Sequence, residues 1–471
     1  MRAETQRNSG TYRAYSDYRH ALVRWIGRIP SHWTIAPVKR ITESMCDGPF
    51  GSDMKSSHYS DEGVRLIRLQ NIGMGAFDDS DRAYISEEHF LSLPGHDVIP
   101  GDVLVAGLGD ANHPVGRACL FPAELGQAMV KADCFRLRVK WREVEPAFLV
   151  NFLCSMQARE GLTLATRGAT RDRVNLTGIG QFALPLPPPA EQRQIARFLD
   201  RETSVIRSVV EKKERLIALL EEKRAALINR AVTRGLDPDG PMRNSSIPWL
   251  GSVPAHWRVM RLKRLAVEDE GIQMGPFGSM LSNISTSPTR FRLYGQENTI
   301  SGDFEIGDRW ITPEQYVSLG RYALLPGDIV LTRKGSIGKA RLLAEIAPGI
   351  MDSDTIRVRV DRARIVPAFL VRLLHEVWYL HVQIDANSRG AILAGLNSTT
   401  IGDLQIALPP PVEQEAIGAF LDGTTAKINR AIAKIRQQIG RLQEYRTALI
   451  SAAVTGKIDV RECSATEKLL T

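Results

Sequence analysis

The chain has 471 residues, of which 43% are hydrophobic and 24% are charged, a composition typical of a soluble globular protein with roughly two to four domains. No apolar run reaches the roughly 20 residues of a membrane-spanning helix, and the polar N-terminus has no apolar signal core, so we expect a cytoplasmic protein without a membrane partner. The net charge of +8 favours a polyanionic partner, although many basic proteins bind no nucleic acid.

An N-terminal arm, residues 1–20, precedes a first globular part at residues 21–189. Residues 64–72 alternate apolar and polar side chains as strands do. The Pro-Gly-Asp sequence at 100–102 predicts a tight turn that leads into another strand, because proline fixes φ and glycine supplies a positive φ. A helix is predicted at 146–156. The first globular part is therefore expected to be α+β.

A long spacer helix is predicted at residues 190–235, directly after the triple proline at 187–189. Proline is tolerated at the first helical position and disrupts a helix further in. The carboxylate of Glu191 then falls in the first turn, where it suits the helix dipole. Apolar or long-stemmed residues, the latter being Lys213 and Arg224, recur at alternating spacings of four and three, which predicts a coiled coil.

The second half of the chain repeats the first. GPFGS occurs at 48–52 and again at 275–279, and LPLPPPAEQRQIARFLD (184–200) is matched by IALPPPVEQEAIGAFLD (406–422). The order of the matching blocks is preserved, which chance similarity does not do, so the chain is an internal duplication. The repeat comprises a linker, a globular part, a second spacer helix and a tail, at residues 236–247, 248–411, 412–457 and 458–471.

The two spacer helices carry the same heptad seam. We predict that they pair with each other as an antiparallel coiled coil, which gives the chain a pseudo-twofold axis and separates two homologous globular parts. The alternative is that each helix packs only on its own globular part. The predicted seam residues are Ile206, Val210, Ile217, Leu220, Leu227, Ile428, Ile432, Ile435, Ile439, Leu442 and Leu449.

Signatures of catalysis and metal binding are absent from the sequence. There is no phosphate-binding G-x-x-x-x-G-K-[ST] motif, no H-E-x-x-H and no G-x-S-x-G. The five cysteines are scattered and never form a C-x-x-C pair, which argues against a zinc site and a disulfide framework. The sequence thus predicts a binding protein with no catalytic residues and no metal site.

The ordered, duplicated motifs resemble the specificity subunit of a type I restriction–modification system. They are IPSHW and its repeat VPAHW, GPFGS, a Pro-Gly-Asp turn before a strand, the proline–Glu-Gln motif and the heptad helix. The resemblance covers residues 26–237 and 250–459. It implies two target recognition domains, each reading one half of a split, asymmetric DNA site, with the spacer helices setting the distance between the halves.

The resemblance also implies the partners. Two methyltransferase subunits would use S-adenosylmethionine to make N6-methyladenine, and the full enzyme would add ATP-driven restriction subunits. S-adenosylmethionine, ATP and Mg²⁺ are expected on those partner subunits, and no cofactor is expected on this chain. The proline–Glu-Gln motif is shared by both copies, so it suits a partner that is the same on both sides, although helix initiation explains much of it.

On this resemblance, comparison of the copies selects candidate DNA-binding residues. Positions that both copies share suit scaffold or phosphate contacts, and positions that differ within matched loops suit base readout. Arginine pairs with guanine, and asparagine or glutamine pairs with adenine, whereas the alternative is an ordinary solvated loop. The candidates are Gly48, Phe50, Ser52, Arg68, Gln70, Asn71, Arg167, Arg171, Arg173, Gly275, Phe277, Ser279, Glu297, Asn298, Arg333, Lys334 and Arg389.

Two other functions are compatible with the sequence. One is a coiled-coil scaffold that bridges DNA without methyltransferase partners. The other is a self-contained modification enzyme with an unrecognised catalytic domain. Neighbouring genes for a methyltransferase and a helicase-nuclease would distinguish both from a specificity subunit.

Overall fold

The computed structural model describes residues 12–110, 112–166, 172–268, 270–281, 284–288, 290–334, 339–388 and 396–461. The chain divides into two compact units: unit 1 comprises Met1–Lys213 with Gln437–Thr471, and unit 2 comprises Glu214–Arg436. Each unit therefore contains one globular part and a portion of each long helix. Among the described residues, no helix is long and apolar enough to cross a membrane.

Unit 1 contains two main sheets. Its strands are β1 (Tyr18–His20), β2 (Arg28–Pro30), β3 (Thr34–Pro37), β4 (Thr42–Cys46), β5 (Tyr59–Ser60), β6 (Val64–Ile67), β7 (Tyr84–Ile85), β8 (Asp97–Val98), β9 (Val103–Ala106), β10 (Ala118–Leu120), β11 (Ala128–Val130), β12 (Cys134–Val139) and β13 (Ala183–Leu186). One antiparallel sheet has the order β10-β9-β12-β4, and the other has the order β5-β7-β6-β11-β8 with β6 and β11 parallel. The helices are α1 (Val38–Ile41), α2 (Glu87–Ser92), α3 (Pro146–Leu153), α4 (Met156–Thr166), α5 (Leu176–Gln181) and the first part of α6 (Pro189–Arg234).

Unit 2 repeats this plan, with fewer strands among its described residues. Its strands are β14 (Met242–Asn244), β15 (Ser252–Pro254), β16 (Arg258–Arg261), β17 (Ile272–Met274), β18 (Phe291–Tyr294), β19 (Trp310–Ile311), β20 (Ile329–Thr332), β21 (Ala340–Leu342), β22 (Gly349–Met351), β23 (Thr355–Val358) and β24 (Gln405–Leu408). The sheets are β17-β23-β20-β21 and β19-β18-β22. The helices are α7 (Gln296–Ser301), α8 (Pro313–Ser318), α9 (Pro367–Glu376), α10 (Trp378–Ser388), α11 (Ser398–Gly402) and the first part of α12 (Pro411–Val454). The predicted α+β class and the duplication are confirmed.

The long helices share the core of each unit. In unit 1, Trp33 of the globular part, Leu199 of α6 and Leu449 of α12 belong to one buried cluster. In unit 2, Trp257 and Ile228 belong to the equivalent cluster. Within each unit, the start of one long helix and the end of the other therefore pack on the same globular part. Both of the arrangements considered from the sequence are present, since each helix packs on its own globular part and also pairs with the other helix.

The two long helices run antiparallel. In unit 1, Lys213 on α6 donates a hydrogen bond from Nζ to Oε1 of Gln438 on α12, at 2.7 Å. In unit 2, Arg436 on α12 forms an ion pair with Glu221 on α6, at 3.2 Å. The early part of α6 therefore lies beside the late part of α12 in unit 1, and the reverse holds in unit 2. The predicted coiled coil is confirmed.

Burial follows the heptad seam. The buried seam residues are Ile206, Ile428, Ile432 and Leu449. Half-buried seam residues are Val210, Ile217, Leu220, Leu227, Ile435, Ile439 and Leu442. Because most of the positions between them are exposed, one stripe of each helix supplies the contact surface.

Segments expected to be an arm, a linker and a tail contribute to the folded units. β1 lies within the expected arm and pairs with β2, while β14 lies within the expected linker and pairs with β15. In unit 1, Tyr18 donates its hydroxyl hydrogen to the carbonyl of Gly456, at 2.9 Å, and the amide of Asp459 donates to the carbonyl of Arg13, at 2.7 Å. Chain start and chain end therefore complete unit 1 together.

Candidate nucleic-acid interface

The GPFGS loops follow β4 in unit 1 and β17 in unit 2, and both are fixed at their first glycine. A Cβ on Gly48 would collide with the backbone carbonyl of Lys131, and a Cβ on Gly275 would collide with that of Asp352. Glycine is therefore required here by close packing against the protein's own backbone.

The second part of each GPFGS loop is exposed. Phe50 is 48% and Phe277 is 45% exposed. Ser52 is also exposed, and its hydroxyl donates to Asp53 at 3.2 Å. Ser279 lies in the 3-10 turn Gly278–Leu281, but its side chain is outside the part of the chain that the structure describes. The loops are thus surface features in both units.

Two predicted adenine readers are buried loop supports in this structure. Asn71 is fully buried, and its amide donates to the carbonyls of Asp78 at 2.9 Å and Asp81 at 2.8 Å. Asn298 is 2% exposed and donates to the carbonyls of Asp303 at 3.1 Å and Ile306 at 3.0 Å. Both side chains close a loop, as a buried amide must find partners. In this conformation neither amide is available to a base.

The neighbours of these asparagines are more accessible. Gln70 is exposed. Arg68 is 26% exposed and forms a two-pronged ion pair with Asp81, with its Nε at 2.7 Å from Oδ2. In unit 2, Glu297 is 45% exposed and pairs with Arg309 at 2.6 Å. Arg68 and Glu297 therefore stand at the surface with their orientation fixed by an oppositely charged neighbour.

Arg333 and Lys334 lie beside the GPFGS loop of unit 2. The guanidinium of Arg333 lies 4.9 Å from the centre of the Phe277 ring, a cation–π distance. Its Nε donates to the carbonyl of Leu396 at 2.8 Å and its Nη1 to that of Ser353 at 3.2 Å. Lys334 is 51% exposed and pairs with Asp354 at 2.8 Å. The structure therefore brings Phe277, Arg333 and Lys334 together.

Arg173 occupies the corresponding region of unit 1. It is 54% exposed and pairs with Asp133 at 2.9 Å, and it forms an isolated β-bridge with Leu108. Arg167, Arg171 and Arg389 lie outside the described residues.

Arg117, which the sequence comparison missed, ties the candidate loops of unit 1 together. It is 5% exposed and donates to the carbonyls of Leu69 at 2.9 Å, Ile72 at 2.7 Å and Leu108 at 3.0 Å. One buried guanidinium thus joins the loop of Gln70 to the loop that bridges to Arg173. In the sequence, Arg117 is one arginine in a strand-rich segment, and nothing around it indicates that its side chain is buried and bonds loop carbonyls.

Lys131 and Asp352 occupy the same place in the two units and carry opposite charge. Lys131 donates from Nζ to the Tyr59 hydroxyl at 2.7 Å, whereas Asp352 pairs with Arg309 at 3.0 Å. Each sits directly beneath its GPFGS loop. The aligned sequences VKADC and MDSDT contain this difference, so comparison of the copies could have found it.

Asp47, at the base of the unit 1 loop, adds a titratable group. Burial raises the pKa of Asp47 to about 6, opposed by the hydrogen bond that the Gly48 amide donates to its Oδ1 at 2.7 Å. The aligned residue in unit 2 is Met274. The charge of Asp47 therefore changes near pH 6, whereas Met274 at the aligned position has no titratable group.

The described candidates thus form one surface in each unit, which we call the loop edge. In unit 1 it comprises residues 48–52, 68–71, 107–108, 131–133 and 172–173. In unit 2 it comprises residues 275–279, 295–298, 333–334, 352–354 and 396–397. The packed first glycine and the buried asparagine recur in both units, while the exposed side chains differ.

The shared proline–Glu-Gln motif has a different place. The carboxylate of Glu191 accepts hydrogen bonds from Tyr15 at 2.6 Å and Trp33 at 3.0 Å, and it lies 2.8 Å from His32. Glu413 accepts from Trp257 at 3.1 Å and lies 2.7 Å from His256. These carboxylates join the start of each long helix to the His-Trp motif of the same unit.

The glutamine of the motif is buried in both units. Gln192 accepts from the Glu145 amide at 2.9 Å and donates to Glu143 at 3.0 Å and Pro187 at 2.8 Å. Gln414 accepts from the Val366 amide at 2.8 Å and donates to two carbonyls in the same manner. The prediction that this motif is a surface for a shared partner is therefore wrong for the glutamines, which are at most 1% exposed.

Comparisons with known proteins agree with this architecture. Residues 89–217 match the family model described as the type I restriction modification DNA specificity domain. The StySPI specificity subunit of Salmonella potsdam is 24% identical over 87% of both chains, and the EcoKI specificity subunit of Escherichia coli is 22% identical over 87% of both. A chain in a structure of the type I R-M system superposes with a TM-score of 0.68, at 16% identity, over 90% of this chain and 98% of that one, which supports the fold.

Proposed function

We infer that this chain, which belongs to the family of type I restriction–modification specificity subunits, is a non-catalytic DNA-recognition subunit. Its substrate is double-stranded DNA, and its task is to read a site in two parts. The two loop edges carry this inference, because they share a packed first glycine and a buried asparagine and present different exposed side chains.

The difference between the loop edges supports an asymmetric site. Arg333 and the exposed Lys334 stand where the aligned residues of unit 1 are Gly107 and Leu108. Base contacts specify sequence and phosphate contacts position the protein. Equal supports with unequal exposed side chains therefore favour two different half-sites, one for each unit.

The partners follow from the same family. We propose that the chain holds two methyltransferase subunits, and in the full enzyme two restriction subunits as well. S-adenosylmethionine, ATP and Mg²⁺ belong to those subunits, and the reaction is N6-methylation of adenine. The proposed location is the cytoplasm, where the chromosome is accessible. A DNA-bridging scaffold without methyltransferase partners is not favoured, because the relatives over most of this chain are specificity subunits.

Single-molecule methylation sequencing of cells with and without this gene tests the proposal. The expected result is the loss of one split, adenine-methylated motif when the gene is deleted. An unchanged set of methylated motifs in cells that express the neighbouring methyltransferase would refute it.

A further inference from the structure

An exposed phenylalanine lies at the same place in each unit. Phe50 and Phe277 expose nearly half of their surface, although phenylalanine is among the residues most often buried. Both belong to GPFGS, which is identical in two copies whose neighbouring loops have diverged. About half of each side chain is left uncovered by the fold, which indicates a role outside it.

The backbone holds both rings outward in the same way. The first glycine of each loop, Gly48 or Gly275, packs closely against the backbone of a neighbouring segment. Gly51 and Gly278 then adopt φ values of +56° and +54°, and a Cβ on either would meet nothing within 4 Å. These glycines are required by the left-handed turn and not by crowding. The 3-10 turn closes when the Asp53 amide donates to the Phe50 carbonyl at 3.2 Å.

Positive charge next to the loops indicates which partner the rings meet. In unit 2, the Arg333 guanidinium lies over the Phe277 ring and is oriented by two backbone carbonyls. In unit 1, Lys131 lies beneath the loop and its Nζ donates to the Tyr59 hydroxyl at 2.7 Å, and the exposed Lys55 follows the loop in sequence. An aromatic ring beside cations suits a nucleic acid, which offers a stacking surface and phosphates together.

We propose that Phe50 and Phe277 are apolar wedges, each inserting at one base-pair step of its half-site and partly unstacking it. The proposal rests on the proposed function, since it needs DNA at the loop edges. Apolar side chains that enter a stack kink the duplex, and pyrimidine–purine steps unstack most easily. Because the ring is the same in both units, the wedge is a positioning contact common to both half-sites, and the divergent loop residues read the bases.

The test uses the full-length chain without its methyltransferase, so that no base is flipped by another subunit. The probe is a duplex that contains the motif found by methylation sequencing, with a fluorescent base analogue placed singly at each position. 2-Aminopurine replaces adenine and pyrrolocytosine replaces cytosine. Binding is expected to raise the fluorescence severalfold at one step in each half-site.

The variants assign each signal to one ring. Phe50→Ala should abolish the rise in one half-site and leave the other, and Phe277→Ala should do the reverse. Each should raise the Kd by roughly 5- to 150-fold, the range for one base–aromatic stack, with no change in the methylated motif. Phe50→Trp should restore the signal. Leu91→Ala in unit 1 and Val317→Ala in unit 2, which remove side chains that are 70% and 80% exposed, should leave both signals unchanged.

Three outcomes would overturn the wedge. The first is a fluorescence rise that survives both alanine variants. The second is unaltered DNA binding with a loss of methyltransferase binding, which would make the rings a protein contact. The third is a wild-type chain that binds no motif duplex, which contradicts the proposed function itself and is recognised before any variant is examined.

Discussion

Gln192→Met tests whether the proline–Glu-Gln motif is an internal support. Methionine keeps the approximate length and volume of glutamine but removes three hydrogen bonds, which join the helix start to the Glu145 amide and to the carbonyls of Glu143 and Pro187. Leaving a buried polar group without a partner costs roughly 1–3 kcal/mol. Three such groups give an expected loss of about 3–5 kcal/mol, since local relaxation recovers part of the sum.

The assay is scanning calorimetry combined with hydrogen exchange. Two compact units need not unfold in one step, so exchange at individual amides locates the damage. Gln192→Met should speed exchange at the Glu145 amide and leave that of Val366 unchanged, while Gln414→Met should do the opposite. Gln194→Met, at an exposed position two residues further along α6, should change stability by no more than about 0.5 kcal/mol.

A surface role for the glutamine would give a different pattern. Gln192→Met would then leave unfolding and hydrogen exchange as in the wild type but weaken binding of the methyltransferase subunit. That result would refute the claim that Gln192 is an internal support and would make the motif a partner contact.

The remaining predictions concern the seam, the loop edges and pH. Ile206→Asp or Leu449→Asp, at seam positions that are 7% and 4% exposed, should lower the free energy of unfolding by about 3–5 kcal/mol, as followed by denaturant unfolding, whereas Val205→Asp at an exposed position should change it little. Arg173→Ala should relax the sequence preference of one half-site and Arg333→Ala that of the other, and methylome sequencing that shows an unchanged motif for both would contradict this assignment. Because the pKa of Asp47 in the folded chain, about 6, lies above its ordinary value, protonated Asp47 stabilises the fold below that ordinary value, and this contribution is lost as pH rises through about 6. Asp47→Asn should therefore remove the fall in unfolding free energy across pH 4–7, and a wild-type pH profile in the variant would show that Asp47 is not its source.

Periodicity and duplication made most of the architecture predictable. The alternating spacing of four and three residues located the seam, because a heptad repeat places those positions along one stripe of a long helix. The triple proline located the helix starts, and α6 and α12 begin at Pro189 and Pro411. Both signals lie within one stretch of the chain, so they predict the helices without information on tertiary contacts.

The loop edges were predictable only in outline. Asn71 and Asn298 have the residue type of an adenine reader, yet both amides point inward because a loop needs its carbonyls satisfied. Their identity in the two copies is the signal that favoured a support. Arg68 is a candidate DNA-binding residue from the sequence, but its ion pair with Asp81, 13 residues further along the chain, could not be predicted. Residue type alone does not say which partner a polar side chain faces.

The arm and tail illustrate a second limit. The segments at 1–20 and 458–471 resemble flanking sequence, but the amide of Asp459 donates to the carbonyl of Arg13 within unit 1, at 2.7 Å. A contact between residues so far apart leaves no pattern in a single sequence. In unit 2, the strand equivalent to β1 is β14, which follows α6 directly in the chain.

Exchange of one globular part tests the central claim most directly. In a chain whose residues 248–411 are replaced by a second copy of residues 21–189, both loop edges are those of unit 1. Methylation sequencing of cells that carry this chain with its methyltransferase should show an interrupted palindrome, made of one wild-type half-site repeated in opposite orientation. An unchanged asymmetric motif, in cells where the exchanged chain is expressed and folded, would contradict the claim that each unit reads its own half of the site.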